Sequence, residues 1–201
     1  LNPTIRYSLP SSTEGSSFGA FFYPYITVRD LGRNINVPPA AYASNNFILK
    51  FENALPWSLV AGVRRGVIGG NGVVGLEVNL DQADREFIEP FGINPIVFQS
   101  GTGPTIFANK TAQQTPKSAL SSINVREVVI YVQDGIEAIL KNYLFEFNTP
   151  QTRLEIKTLA DNFLATVQND DGVFAFTNIM DESNNTWKFL YKELQSLKLG
   201  K

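Results

Sequence analysis

The sequence predicts an α+β fold: a small mixed β-sheet packed against two long helices, with additional short helices and loops. Three observations carry the prediction. Two short apolar runs, residues 93–98 and 105–108, face each other across the turn Gln99-Ser100-Gly101-Thr102-Gly103-Pro104. Apolar residues then recur every three or four positions over two consecutive segments, 125–144 and 154–167. A β-rich run, Val173-Phe174-Ala175-Phe176-Thr177-Asn178-Ile179, follows the second segment after the breaker Asn169-Asp170-Asp171-Gly172.

Taken in chain order, residues 1–19 are rich in Ser, Gly and Pro and read as an extended arm or irregular loop. Phe21, Phe22, Tyr23, Tyr25, Ile26 and Val28 form an aromatic, β-branched strand, and Pro24 assigns it an edge or bulged position. Val37-Pro38-Pro39-Ala40 opens a helix running to about Glu52, because proline is tolerated in a first turn. Residues 53–65, with Pro56 and Trp57, read as loop with a short helical turn. The glycine-dense stretch 66–75 reads as a turn or mobile loop, with a short strand at Leu76-Glu77-Val78. Leu80, Ala83, Phe87 and Ile88 place a helix over residues 80–90.

Asn124 is a good N-cap for the first long helix, whose stripe includes Val125, Val128, Val129, Val132, Ile136, Ile139, Leu140 and Tyr143. Gly135 interrupts it at a cost of roughly 1 kcal/mol relative to Ala, and marks close approach of a neighbouring element. Asn148-Thr149-Pro150 supplies a cap and an N-terminal proline for the second helix. The domain reading is an arm at 1–19, a core domain over 20–183 and a lysine-rich amphipathic tail at 184–201. In that tail Trp187, Leu190, Leu194 and Leu197 stand at helical spacing. Leu1 in place of an initiator methionine implies a piece of a longer protein.

Composition narrows function by exclusion. The chain has no cysteine and no histidine, so Ser-His-Asp triads, thiolate nucleophiles and Cys- or His-ligated zinc sites are impossible within it. With 17 basic and 19 acidic residues the net charge is −2, which gives neither a basic footprint for nucleic acid nor a polybasic membrane patch. The longest apolar runs are too short to span a bilayer, and no signal peptide opens the chain.

The remaining motifs have bland readings beside their functional ones. Gly70-Asn71-Gly72-Val73-Val74-Gly75 matches the dinucleotide pattern, which needs a strand before it and a helix after it. Neither flank reads so, and a nucleotide-binding enzyme is the weaker alternative. Asp81, Asp84 and Glu86, or Asp170 and Asp171, hold the oxygen chemistry for Mg²⁺, but caps and turns explain them more simply. Arg64 and Arg65 can fork onto a phosphate or a partner's carboxylates, or stand solvated. At the start of the long helix Glu127 suits the dipole, whereas Arg126 opposes it and calls for a partner elsewhere.

Several strings occur in a fixed order: Phe21-Phe22-Tyr23-Pro24-Tyr25, Val37-Pro38-Pro39, Gly92-Ile93-Asn94-Pro95-Ile96, Ile123-Asn124-Val125-Arg126, Phe145-Glu146-Phe147-Asn148 and Asp181-Glu182-Ser183-Asn184-Asn185-Thr186. Together, from about Phe21 to Thr186, they resemble the C-terminal core of contractile bacteriophage tail sheath proteins. Sheaths of phage-tail-like bacteriocins and injection systems are an equal match.

That resemblance implies a structural protein with no catalytic, metal or cofactor residues and no cofactor. Its partners would be other sheath subunits in helical rings, an inner tail tube, the baseplate and the tail terminator, with no direct nucleic acid and no membrane insertion. It implies a location in the virion tail, and in the host cytoplasm during assembly. Arg126, Glu127, Lys141, Arg64 and Arg65 are the candidate inter-subunit or tube contacts. Strand edges around residues 21–28 and 173–179 are candidates for pairing with neighbouring arms. The family pattern continues beyond Thr186 with a further strand and arm, and this chain departs from it there.

Overall fold

The computed structural model describes residues 14–70, 72–115, 117–181 and 186–193. They fall in two compact units, Leu1–Arg126 and Glu127–Lys201. The fold mixes α and β as expected, with the strands of the first unit shared between two three-stranded sheets.

In the first unit, β1 (Phe21–Tyr23) and β2 (Ile26–Asp30) replace the single strand expected at 20–28. The Tyr23-Pro24 peptide bond is cis, and the chain changes sheet there. β1 lies parallel to β5 (Ile93–Gln99), which pairs antiparallel with β6 (Gly103–Ile106) in the expected hairpin. The outer edge of β6 is covered by residues 66–68, through Ile68 N–H to the Pro104 carbonyl and Ile106 N–H to the Gly66 carbonyl, both 2.8 Å. β2 sits at the centre of the second sheet, between β3 (Arg33–Val37) and β4 (Val73–Leu76). β3 is exposed along most of its length, and its apolar alternation is confined to Ile35 and Val37, a run too short to mark a strand in sequence.

α1 (Pro39–Asn53) begins at the expected prolines, and the short α2 (Gly62–Arg65) is the helical turn expected before residue 65. Ile26, Ala43, Val60, Ile68, Ile96 and Ile106 form the buried cluster between these elements, with Phe22, Val28 and Phe47 packed on it. Fully burying each large aliphatic side chain is worth about 1.5–3 kcal/mol, so this cluster is the main source of the unit's stability.

α3 (Gln82–Ile88) opens on a capping box: Asp81 accepts the Asp84 N–H at 2.8 Å and Asp84 accepts the Asp81 N–H at 3.2 Å. Gly92 follows with φ 70°, the left-handed conformation that favours glycine. A β-carbon there would meet the Thr111 carbonyl at 2.8 Å. Two residues later the fully buried Asn94 donates to the carbonyls of Phe21 (2.9 Å) and Lys110 (2.8 Å) and accepts the Lys110 N–H (2.7 Å). One side chain thus binds β1, β5 and the segment after β6.

Lys110 also carries an ion pair to Glu89 at 2.6 Å. Its hydrogen bond and its charge hold the Glu89 carboxyl below the usual carboxylate range. A depressed folded-state pKa stabilises the protein above the unfolded carboxylate range and stops doing so as pH falls through the folded value. Because Glu89 is largely exposed, the contribution is a few tenths of a kcal/mol. Lys110→Met is expected to remove that part of the acid-side slope in unfolding free energy measured between neutral pH and about pH 3.

α4 (Ile123–Lys141) begins one residue before the expected cap, so Asn124 lies in its first turn, where its Oδ1 accepts from Asn109 Nδ2 at 2.6 Å. In the second unit α4 continues with Val128, Val129, Val132 and Ile136 buried. α5 (Pro150–Asn169) is capped by Thr149, which accepts the Thr152 N–H at 3.1 Å, and buries Ile156, Ala160, Leu164 and Val167. At Gly135 a β-carbon would lie 2.2 Å from the tip of the Phe163 ring, the close approach expected from sequence.

β7 (Val173–Asp181) pairs antiparallel with β8 (Thr186–Glu193). This corrects the helical reading of the tail as far as residue 193. The run Trp187-Lys188-Phe189-Leu190-Tyr191 is aromatic and suits a strand, and a pairing partner decides between periods that sequence leaves close. Residues 1–13, assigned to the arm, and 194–201 lie outside the described residues, and 14–18 form a 3-10 turn rather than an extended arm.

Candidate functional site

Arg64, Arg65 and Arg126 belong to the first unit, Glu127 and Lys141 to the second. Arg126 is only 3% exposed. Its guanidinium donates to the Ser17 hydroxyl and lies over the Phe18 ring, 4.2 Å from the centroid. The partner that helix polarity demands is therefore the 3-10 turn of the same unit, which Arg126 fastens to the start of α4. Arg126→Ala is expected to cost about 2–3 kcal/mol by removing a buried charge-assisted hydrogen bond. Faster proteolysis at residues 14–19 would accompany it.

Glu127 is half-buried, and Lys141 is exposed in an i,i+4 pair with Glu137 at 3.0 Å. Such exposed pairs contribute about 0.3–0.5 kcal/mol, so Lys141 is available to a partner at small cost. Arg64 and Arg65 form the last turn of α2 and are exposed. Arg65 Nε donates to the Leu59 carbonyl at 2.9 Å, which fixes its direction.

Of the strand edges, β1 stands at the edge of its sheet, but β2 has a strand on each side. The candidate edge at 21–28 is thus reduced to residues 21–23. The glycine motif opens β4, which pairs with β2, and no helix N-terminus follows it to receive a pyrophosphate. Of the acidic groups, Asp81 and Asp84 cap α3 and Asp170 caps α5. Among the described residues no group of three acidic side chains could hold a metal ion, and no helix is long and apolar enough to cross a membrane.

The connection between α4 and α5 is a feature that the sequence patterns leave unassigned. There Leu144 is exposed, Phe145 fully so and Phe147 84% so. The signal was present as Phe145-Glu146-Phe147, aromatic residues outside any periodic stripe.

No family model matches the chain. The tail sheath protein of Vibrio phage KVP40 is 35% identical over 175 residues, 87% of this chain and 25% of that protein. This chain belongs to the contractile tail sheath family. The tail sheath protein of Enterobacteria phage T4 is 29% identical over 177 residues, 88% of this chain and 26% of that one. The chain therefore spans about a quarter of the length of the curated sheath relatives it matches.

Its fold is that of solved injection-system sheaths. The helical sheath of the anti-feeding prophage in its contracted state gives a TM-score of 0.82 at 18% identity, covering 96% of this chain and 57% of that one. The contracted sheath complex of the extracellular contractile injection system PVC gives 0.76 at 19%, covering 89% and 53%. In this tail sheath chain Asp81 and Asp84 cap a helix, Asn94 clamps strands and Lys141 pairs on the surface.

Proposed function

We propose that this chain is the core domain of a phage tail sheath subunit, which polymerises in helical rings around an inner tail tube. The observation that carries the reading is its 35% identity over most of its length to a phage tail sheath protein. Contraction then drives the tube through the host envelope for genome ejection, without a catalytic step or a cofactor. The work comes from release of a metastable packing, with subunits moving as near-rigid bodies.

In this reading the sheath also engages the baseplate and the tail terminator, and it resides in the virion tail after assembly in the host cytoplasm. The outer edges of β1 and β7 would receive strands from neighbouring arms. Lys141, Glu127, Arg64 and Arg65 supply polar contacts to tube or neighbours. The likeness to injection-system sheaths supports a second setting with the same mechanics, a bacterial injection device, although the two phage relatives favour a virion.

The test is assembly at full natural length with the tube protein present. Tubular polymers with a helical repeat in electron micrographs are expected. Compact particles that ignore the tube would overturn the reading.

A further inference from the structure

Two exposed surfaces remain unaccounted for. The first is the α4–α5 connection, an ordered turn held by the Glu146 N–H to the Tyr143 carbonyl (3.2 Å) and the Thr149 N–H to the Phe147 carbonyl (2.8 Å). Phe145 sits at its tip with φ 74°, a left-handed conformation that is unfavourable for a bulky residue. An aromatic that is both strained and fully exposed is costly in a free subunit and points to a role in contact. Glu146, exposed between the two phenylalanines, has no charged partner among the described residues.

The second surface lies on the first unit, where the end of α1 runs through a loop into α2. Phe51, Leu55, Leu59 and Val63 are all exposed there. Local bonds brace the segment. Lys50 Nζ donates to the Pro56 carbonyl at 2.5 Å, and Asn46 reaches the Arg65 carbonyl at 3.3 Å. Arg64 and Arg65 stand beside Val63 and pair with no carboxylate among the described residues. Arginine beside exposed apolar side chains fits a contact surface, because arginine is enriched at interfaces over ordinary surface.

We infer that the Phe145-Glu146-Phe147 turn of one subunit docks on the α1–α2 face of a second copy of this chain. The phenylalanines cover Leu59 and Val63, and Glu146 meets Arg64 and Arg65. The inference rests on the reading of the chain as a self-assembling subunit and supplies a contact for it. Charge chooses the occupant: Glu146 lies between two exposed phenylalanines on one surface, and Arg64 and Arg65 lie beside Leu59 and Val63 on the other. Because the two differ, the contact is heterologous, and repeated head to tail it generates an open helix of subunits. It also gives the arginine pair the carboxylate that its fork geometry suits.

Carbodiimide cross-linking tests the contact directly, since the reagent joins a carboxylate to an amine in immediate contact. Arg64→Lys keeps the charge and adds the amine. Isotopically heavy and light copies of that variant, mixed in concentrated solution, are expected to give a heavy–light peptide joining position 64 to Glu146. Its yield should fall about tenfold in the Phe145→Ser/Phe147→Ser background, and the peptide should vanish with Glu146→Gln. Both changes lie on an exposed turn, and circular dichroism would verify that the fold persists. A yield unchanged by the serine pair, a link formed only within one copy, or no link at all would overturn the contact. Tubes that assemble without the link would refute this contact alone, whereas failure to form tubes with the tube protein would refute the sheath reading.

Discussion

Replacing Asn94 with leucine is expected to lower the unfolding free energy by about 3–5 kcal/mol. Leucine has the same branched skeleton but is larger, and it leaves the Phe21 and Lys110 carbonyls and the Lys110 N–H without the partner they have at 2.7–2.9 Å. Each buried polar group stranded in this way costs about 1–3 kcal/mol. Asn94→Asp should fare no better, because a carboxylate cannot donate to the two carbonyls and its charge is buried. Denaturant midpoints measure both losses, and amide exchange along β1 should rise first, since Asn94 is the side chain that ties it to β5. A loss under 1 kcal/mol would mean that β1 is held by its backbone ladder alone.

Gly135→Val is expected to cost about 3 kcal/mol, and Gly135→Ala about 1–2 kcal/mol despite the better helix propensity of alanine. The added β-carbon would stand 2.2 Å from the tip of the Phe163 ring, which packs against Tyr131 at 5.8 Å between centroids. The ring must leave its place for the helices to keep theirs. Phe163→Leu in the alanine background should recover at least 1 kcal/mol, a coupling that a double-mutant cycle reads directly. A gain in stability for Gly135→Ala would show instead that the ring moves freely and that α4 and α5 are loosely packed.

Gly135 was legible in the sequence because a glycine inside a strong apolar stripe has few explanations other than close approach. The long helices, the β5–β6 hairpin and the prolines at the starts of α1 and α5 were legible for a related reason: periodicity and capping are local. Asn94 was visible only as a letter in a recurring string. Its three bonds reach 16 and 73 residues along the chain, and no local pattern encodes them. β3 escaped because its apolar face is only Ile35 and Val37, too short a run to reveal a period. β8 was misread because Trp187 and Leu190 satisfy a helical spacing, and pairing with β7 settles the matter.

The candidate contacts divide in the same way. Helix polarity calls for a partner to Arg126, but sequence could not place one 109 residues earlier, at Ser17. Arg64 and Arg65 were flagged for their chemistry, and the structure leaves them exposed beside an aliphatic face. The Phe145-Glu146-Phe147 turn stood in the sequence only as aromatic residues following directly on the long helix, outside its stripe. Exposure distinguishes them, and exposure is a property of tertiary structure.

The central claim is that this domain builds the wall of a sheath around a tube. A cryo-electron microscopy reconstruction of the tube-bound polymer tests it most directly. The expected result is this domain in every subunit of the helical lattice, in the layer nearest the tube. A tube-bound assembly whose inner layer is built by some other domain, with this one outside the lattice, would contradict it.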